Sequence, residues 1–244
     1  MKKIIHDVLF KYFPGLWFGL KYNVENQYQN YVYCRADLAA YGKTLAKYRA
    51  MERVFASLVK GKSFLEIGCD TGFFVLRAGM DGASKAIGID RNARALANAE
   101  RARTRLGLGQ VQFHNASIPD LGVQERFDVV MFLSAIHYMF SDKPGNKVLF
   151  ETMDGFVDFI SGFVGQYLLI EFVGVDDEYT VKLVAGRLLE SGEYAERTLL
   201  DALRKRYTAV FDLGQTHYKT RKLFLACKTD VPSVMTGATW QRIV

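Results

Sequence analysis

The stretch FLEIGCDTGFF at residues 64–74 decides the fold of this chain. Its apolar beginning is suited to a buried strand, and residues 71–77 then begin a helical pattern, so a glycine-bearing turn joins a strand to a helix. Gly68 and Gly72 let backbone N–H groups of such a turn approach a ligand, and the helix N-terminus that follows favours electron-rich groups. The stretch therefore predicts a ligand-binding turn at the end of a strand.

The next apolar run ends in an acidic residue. Residues 85–90 read KAIGID, and Asp90 follows the glycine turn by about twenty residues, where a carboxylate can accept hydrogen bonds from both hydroxyls of a ribose. The order of Glu66, Gly68 and Gly72 differs from the Gly-x-Gly-x-x-Gly pattern of nicotinamide dehydrogenases. The two stretches predict a ribose-containing cofactor and make a dehydrogenase the less favoured alternative.

Strand and helix patterns alternate on both sides of this motif. The predicted strands are short and apolar, as expected for strands buried on both faces, and they are residues 63–67, 85–90, 111–114, 127–133, 168–172, 207–213 and 222–227. Strands separated by helices pair in parallel, whereas the short link between the last two permits only an antiparallel pair. The pattern predicts an α/β, doubly wound fold with a mostly parallel seven-stranded sheet and one antiparallel strand.

Several helices can also be placed. Apolar residues at three- and four-residue steps predict a helix that ends near Gly61, and Asn92 is a suitable cap for a helix that ends at Gly107. The apolar stripe from Leu149 to Phe163 predicts a long helix. The run that begins at Thr198 resembles a capping box just before a further helix.

The chain divides into three parts: an aromatic-rich N-terminal extension at residues 1–44, the alternating pattern at residues 45–228 and a C-terminal tail at residues 229–244. Apolar residues between Ile4 and Phe13 predict an amphipathic helix within the extension. We expect this helical extension to pack against the domain or to form a lid over the substrate, in preference to lying on a membrane.

Composition restricts the possible partners only weakly. The formal net charge of +6 and the pI of about 9.1 favour anionic partners in general, such as RNA, phosphorylated sugars or anionic lipid. Three widely spaced cysteines suggest neither a disulfide framework nor a zinc site, which fits a reducing cytoplasm. No stretch approaches the roughly 20 apolar residues that span a bilayer, so we expect a cytoplasmic protein with at most peripheral membrane contact.

Residues 60–228 resemble the class I S-adenosylmethionine-dependent methyltransferases. The first motif of that family is an acidic residue followed by glycines at alternate positions, which here are Glu66, Gly68 and Gly72, with Asp70 where glycine is common. Asp70 must then adopt a backbone conformation that a side chain tolerates. The resemblance implies the Rossmann-like methyltransferase fold, a methyltransferase activity and S-adenosylmethionine as cofactor.

The resemblance also implies roles for particular residues. Glu66 would organise the methionine amino group of the cofactor, and Asp90 would bind the ribose diol. Residues 115–116 would lie beside the adenine, and residues 133–134 would face the methionine part. The cofactor-binding residues expected in this way are Glu66, Gly68, Cys69, Asp70, Gly72, Asp90, Asn115, Ala116, Leu133 and Ser134.

The segment SAIHY at residues 134–138 resembles a small-apolar-His-aromatic segment of methyltransferases that act on sugars, natural products and some tRNAs. His137 would then either accept a proton from the acceptor as a general base or only shape the pocket. A second acidic group, Glu171 with residues 176–178, is expected to be solvated and not to bind a metal.

The acceptor that these features favour is an oxygen or nitrogen of a small-molecule or glycan-type compound. An RNA methyltransferase of the tRNA type is the first alternative, although no appended RNA-binding module is evident. A non-catalytic S-adenosylmethionine-binding protein is the second alternative. Motifs do not choose the acceptor, since pocket shape decides it.

Overall fold

A computed structural model describes residues 22–25, 28–35, 37–143, 148–216, 218–236 and 240–243 of the chain. The amphipathic helix predicted between Ile4 and Phe13 lies outside the described residues.

The described part of the N-terminal extension is a three-stranded antiparallel sheet. Its strands are β1 (Tyr22–Val24), β2 (Tyr31–Cys34) and β3 (Asp37–Ala40). Alternation explains why these residues form strands, since Tyr31 and Tyr33 are buried while their neighbours in β2 are partly exposed. The description of the extension as helical is therefore wrong over residues 22–40, where buried and exposed residues alternate with the period of a strand.

The rest of the chain alternates helices and strands. These elements are α1 (Gly42–Val59), β4 (Ser63–Ile67), α2 (Phe73–Met80), β5 (Lys85–Asp90), α3 (Ala93–Leu106), β6 (Val111–Asn115), β7 (Phe127–Phe132), α4 (Ile136–Met139), α5 (Met153–Ser161), β8 (Val164–Val173), α6 (Glu178–Leu183), α7 (Gly186–Glu190), α8 (Glu196–Arg204), β9 (Ala209–Gln215), β10 (Arg221–Cys227) and β11 (Gln241–Arg242). A 3-10 turn at Ser233–Met235 precedes β11.

The central sheet has the strand order β11-β9-β10-β8-β7-β4-β5-β6. Its neighbours from β8 to β6 are parallel, and β10 is antiparallel to both β8 and β9. The predicted doubly wound, mostly parallel sheet is confirmed. Within the described residues the sheet has eight strands and not seven, because the predicted tail contributes the two-residue edge strand β11, antiparallel to β9. Two exposed residues carry no alternation from which a strand could be predicted.

Two helix predictions need correction. The helix expected from Leu149 is α5, which begins only after Thr152, because the Thr152 side chain accepts a hydrogen bond from Gly155 N and ends the preceding loop. Leu149 is 37 % exposed and lies outside that helix. Thr198 does not precede α8 but is its third residue, and its hydroxyl accepts a hydrogen bond from Ala195 N at 3.2 Å.

Helices cover both faces of the central sheet. On one face, α1, α2 and α3 pack with the small N-terminal sheet, and on the other, α4, α5, α7 and α8 form a second apolar layer. The parallel strands β4, β5 and β7 end at one edge between these layers, which is where doubly wound folds bind ligands. No helix among the described residues is long and apolar enough to cross a bilayer.

Candidate active site

A cavity of about 480 Å³ opens at the carboxyl ends of β4, β5 and β7. This volume is within the range of roughly 300–1,000 Å³ that is usual for small-molecule and cofactor sites. Its walls combine residues of the glycine turn, of the segments that follow β5, β6 and β7, and of the N-terminal extension. The residues that line it are Tyr28, Gln29, Thr44, Lys47, Glu66, Ile67, Gly68, Asp70, Phe74, Ile89, Asp90, Arg91, Asn92, Ala116, Ser117, Ile118, Leu121, Phe132, Leu133, Ser134, Ala135, Tyr138, Met139 and Leu149.

The glycine turn forms one wall. Gly68 and Gly72 both have φ of 79°, the left-handed region that favours glycine, and a Cβ on Gly72 would lie only 2.6 Å from the Phe113 ring. Asp70 is also left-handed, with φ of 49°, a conformation that aspartate tolerates better than most side chains. Asp70 thus adopts a backbone conformation that its side chain tolerates, as its position in the glycine turn requires. Cys69 and Gly72 shape the turn from behind and do not line the cavity.

Glu66 brings an unpartnered carboxylate oxygen into the cavity. Its side chain lies near the end of β4 and is 1 % exposed, and Oε2 has no hydrogen-bond partner among the described residues. Burial raises the pKa of Glu66 well above its ordinary value, against the nearby charge of Lys47. A buried carboxylate with an unused acceptor is suited to a cationic, hydrogen-bond-donating ligand.

Asp90 is held in place by the backbone around it. One carboxylate oxygen accepts a hydrogen bond from Asp70 N and the other from Asn92 N, both at 2.8 Å. The side chain is partly exposed, so its remaining lone pairs face the cavity. The two acidic residues singled out in the sequence, Glu66 and Asp90, therefore lie in one cavity.

An apolar slot extends beyond Asp90. Ala116, as expected, is one of its walls, and Ile118 and Leu121 are two further walls that the sequence did not single out. Asn115 does not line the cavity but donates from Nδ2 to Asp90 O at 3.0 Å, so it supports the end of β5. These apolar side chains suit an apolar group of a ligand.

The opposite end of the cavity contains a polar network that sequence reasoning missed. Ser134, at φ of 54°, donates from Oγ to Glu171 Oε2 at 2.6 Å, and Lys47 Nζ lies 3.0 Å from the same carboxylate oxygen. Lys47 also contacts the Ser134 hydroxyl. Lys47 and Glu171 are separated by 124 residues, so no local pattern reveals their pairing.

The acidic group formed by Glu171 of β8 and the residues after that strand is engaged by cations. Burial alone would raise the pKa of Glu171, but Lys47, the Ser134 hydroxyl and Arg221 hold it below its ordinary value. Asp177 accepts a hydrogen bond from Arg221 Nε at 3.0 Å and is almost fully buried, so this part of the group is not solvated as expected. Across the described residues, no cluster of three or more His, Cys, Asp or Glu side chains is arranged to hold a metal ion.

His137 lies outside the lining of the cavity. Its side chain is 2 % exposed, packs against Tyr138 with ring centroids 4.4 Å apart, and has no hydrogen-bond partner at Nδ1 among the described residues. Burial and the charge of Arg221 lower the pKa of His137 to about 4. Tyr138, the next residue along the chain, is the one that reaches the cavity.

The N-terminal extension covers part of the cavity. Gln29 Oε1 accepts a hydrogen bond from Phe73 N at 2.7 Å, and the Tyr31 hydroxyl donates to Thr71 O at 2.7 Å, so both residues dock on the glycine turn. Tyr28, which is 43 % exposed, lies at the rim with its hydroxyl 3.2 Å from that of Tyr138. The extension thus contributes the buried residues Gln29 and Tyr31 to the support of the glycine turn, and Tyr28 to the rim of the cavity.

The geometry agrees with comparisons to known proteins. The model of a methyltransferase domain family matches residues 58–149, which include the glycine turn, Asp90 and the segment after β7. No curated protein sequence matches the chain.

Solved structures of methyltransferases have a similar fold. The bifunctional kinase-methyltransferase WbdD has a TM-score of 0.60 at 18 % identity, over 80 % of this chain and 38 % of that protein. A Listeria monocytogenes protein described as an S-adenosylmethionine-dependent methyltransferase has a TM-score of 0.55 at 19 % identity, over 77 % and 100 %. Magnesium protoporphyrin IX methyltransferase of Synechocystis PCC 6803 with bound S-adenosylhomocysteine has a TM-score of 0.53 at 16 % identity, over 77 % and 85 %.

Sequence motif, strand order and family model lead to one conclusion. The central sheet, the glycine turn and the acidic residue at the end of β5 are the features that the sequence resemblance required. Residues 58–149 carry the family match itself. Residues 58–149 therefore match a methyltransferase domain, and the chain has the Rossmann-like fold of solved S-adenosylmethionine-dependent methyltransferases.

Proposed function

We propose that this enzyme transfers a methyl group to an oxygen or nitrogen of a small-molecule or glycan-type acceptor that enters beside Tyr28. One observation carries the proposal: the cavity that contains Glu66 and Asp90 continues to a polar end bounded by Lys47, Ser134 and the tyrosine pair. Cofactor and acceptor would therefore meet within a single enclosed space.

The cavity residues fit S-adenosylmethionine group by group. The unpartnered oxygen of Glu66 suits the methionine ammonium, Asp90 suits the ribose diol, and the slot beside Ile118 suits the adenine. Gly68 permits close approach of a ligand to the turn, because it has no side chain and its φ of 79° is one that glycine adopts readily. When bound, S-adenosylmethionine supplies a methyl group activated by a sulfonium.

The protein residues would then align the acceptor, and its proton would leave to water. Ser134 and Tyr138 lie at the polar end, where they can hold the acceptor hydroxyl or amine in line with the methyl. Glu171 keeps the Lys47 ammonium and the Ser134 hydroxyl in fixed positions. We assign Ser134, Tyr138, Lys47 and Glu171 to positioning of the acceptor.

Enclosure of the polar end favours a small acceptor over RNA. Tyr28 and Tyr138 are bridged at 3.2 Å across the opening, and Gln29 and Tyr31 attach the same segment to the glycine turn. A duplex or folded RNA would need an open basic surface at this position. A single sugar or a compact natural product can enter at a rim of this kind.

The activity is tested by incubating the purified chain with S-adenosylmethionine and a library of hydroxyl- and amine-bearing sugars and natural products. Formation of S-adenosylhomocysteine that depends on an acceptor supports the proposal. Turnover only with tRNA would replace it by the RNA alternative. Tight S-adenosylhomocysteine binding without turnover on any acceptor class would favour a binding protein.

Tyr28 is predicted to control acceptor access more than cofactor binding. Loss of its ring in Tyr28→Ala opens the rim, and we expect kcat/KM for the acceptor to fall about tenfold while the Kd of S-adenosylhomocysteine changes less than about threefold. Tyr28→Phe retains the ring and should keep most of the activity. Equal acceptor kinetics in wild type and Tyr28→Ala would contradict a lid. Deleting residues 1–33 is a poorer test, because it also removes the buried Tyr31.

His137 is predicted to shape the pocket by supporting Tyr138. With a pKa of about 4 it is neutral at pH 7 and a weak proton acceptor, and its ring packs on Tyr138. We expect His137→Gln to retain turnover within about fivefold of wild type. The pH dependence of its rate near pH 6.5 should be the same as that of wild type. A drop of about 10² or more at unchanged cofactor affinity would instead restore the general base.

A further inference from the structure

A second, small cleft adjoins the polar end of the cofactor cavity. It shares Tyr28, Lys47 and Ser134 with that cavity. Its other walls are Lys43 of α1, Tyr179 of α6, Tyr218 of the link between β9 and β10, and Arg221 at the start of β10. The cleft has a volume of about 20 Å³, so it can accept one small chemical group but not the body of an acceptor.

The charges around the cleft are unbalanced. Two of its cations are neutralised, because Lys47 pairs with Glu171 at 3.0 Å and Arg221 pairs with Asp177 at 3.0 Å. The third, Lys43, forms no ion pair with an acidic side chain among the described residues. One positive charge therefore remains at the mouth of a cleft that already contains an ordered guanidinium.

The cations are held in place by aromatic rings. Arg221 is 4 % exposed, and its guanidinium carbon lies 4.2 Å from the centroid of the Tyr218 ring and 5.8 Å from that of Tyr179. Lys43 Nζ lies 5.4 Å from the centroid of the same Tyr218 ring. Cation–π contacts and the ion pair fix the guanidinium before any ligand arrives, so little conformational entropy is lost on binding.

The cleft is also connected to the cavity in which the proposed function places the methyl transfer. Arg221 Nη1 lies 3.4 Å from Ser134 Oγ, and Ser134 lines both the cleft and the cofactor cavity. A group bound between Lys43 and Arg221 would thus lie next to Ser134, which also lines the cofactor cavity.

We propose that this cleft binds an anionic group of the methyl acceptor, a carboxylate or a phosphate, between Lys43 and Arg221. The inference rests on the proposed function and narrows its substrate class to acidic small molecules, such as a uronic acid, a sugar phosphate or a carboxylated phenol. Lys43 is the specificity-determining residue, since Arg221 is already committed to Asp177.

The test uses the full chain saturated with S-adenosylhomocysteine and three probes of similar shape: benzoate, phenyl phosphate and benzamide. Calorimetry or ligand-observed NMR measures their binding to wild type, Lys43→Gln and Lys60→Gln, the last being a matched change of an exposed lysine that lines neither cavity. We expect one of the two anions to bind at least about tenfold more tightly than benzamide, and Lys43→Gln to weaken that anion about 3- to 10-fold. Lys60→Gln should bind all probes as wild type does.

The outcomes separate the two proposals. Equal binding of benzamide and the anions, no binding of either anion, or unchanged anion binding by Lys43→Gln overturns the anion site. Failure of wild type to bind S-adenosylhomocysteine counts instead against the cofactor site, and the same titrations on the ligand-free chain then still decide the anion preference. If benzoate binds more tightly than phenyl phosphate, the acceptor carries a carboxylate. If phenyl phosphate binds more tightly, it carries a phosphate.

Discussion

We expect Asp90→Ala to bind S-adenosylhomocysteine about 10- to 150-fold more weakly than the wild-type chain, or roughly 1.5 to 3 kcal/mol. The alanine removes a charge-assisted acceptor from the ribose diol. It also releases the backbone amides of Asp70 and Asn92, which Asp90 holds at 2.8 Å. Calorimetric titration measures the change.

Two further variants sharpen the Asp90 experiment. Asp90→Asn keeps one carbonyl acceptor and should fall between wild type and alanine. Asp201→Ala removes an exposed aspartate on α8, away from the cavity, and should leave the affinity unchanged. An Asp90→Ala chain that is folded and binds S-adenosylhomocysteine normally would exclude Asp90 from the cofactor site.

Glu66→Gln is predicted to change stability and affinity in opposite directions. Because burial disfavours the ionised side chain, the amide should raise the Tm of the ligand-free chain at pH 7–8, where each kcal/mol corresponds to about 2–4 °C in a protein of this size. The same change removes the negative charge that suits the ammonium of the cofactor, so S-adenosylhomocysteine should bind about 10- to 100-fold more weakly.

The pH dependence of this stability difference follows from the direction of the pKa shift. The pKa of Glu66 in the folded chain is raised above the ordinary value of 4.5, so the unfolded chain releases its proton first and wild type loses stability as pH rises from about 4.5 to the folded pKa. The Gln variant has no such loss, so its Tm advantage should grow over that window and vanish at lower pH. Thermal scans across pH measure it.

Glu52→Gln is the matched control for Glu66→Gln, since Glu52 is an exposed glutamate on α1 that does not line the cavity. It should change neither the Tm nor the affinity appreciably. A lower Tm for Glu66→Gln at neutral pH would show that the carboxylate stabilises the fold. An unchanged affinity for S-adenosylhomocysteine would show that the carboxylate does not bind the ligand.

Local patterns were sufficient for the central fold. The strand at residues 85–90, the Asn92 cap and the end of α3 at Gly107 depend on neighbours within one turn or one strand, and each is as predicted. Two predicted helix starts were wrong. Thr198 lies inside α8 and accepts a hydrogen bond from Ala195 N, and α5 begins after Thr152, later than its apolar stripe indicated.

The placement of the residues proposed to bind the cofactor was predictable for the same reason. Glu66, Gly68, Asp70 and Asp90 follow two adjacent parallel strands, and the carboxyl ends of such strands must meet at one edge of the sheet. Asn115 and His137 follow other strands equally closely but turn away from the cavity. The direction of a side chain after a strand depends on the packing of the loop, which a motif does not encode.

The linear order of residues was enough to predict the parallel α/β sheet, the glycine turn and the two acidic residues that lie in one cavity, because periodicity and turn chemistry act over a few residues. Only the tertiary structure revealed the polar network proposed to lie beside the acceptor. Tyr28, Lys47 and Glu171 come from the N-terminal extension, α1 and β8, and they meet through contacts that span more than a hundred residues. Such contacts are set by how whole elements pack, so they leave no periodic trace in the chain.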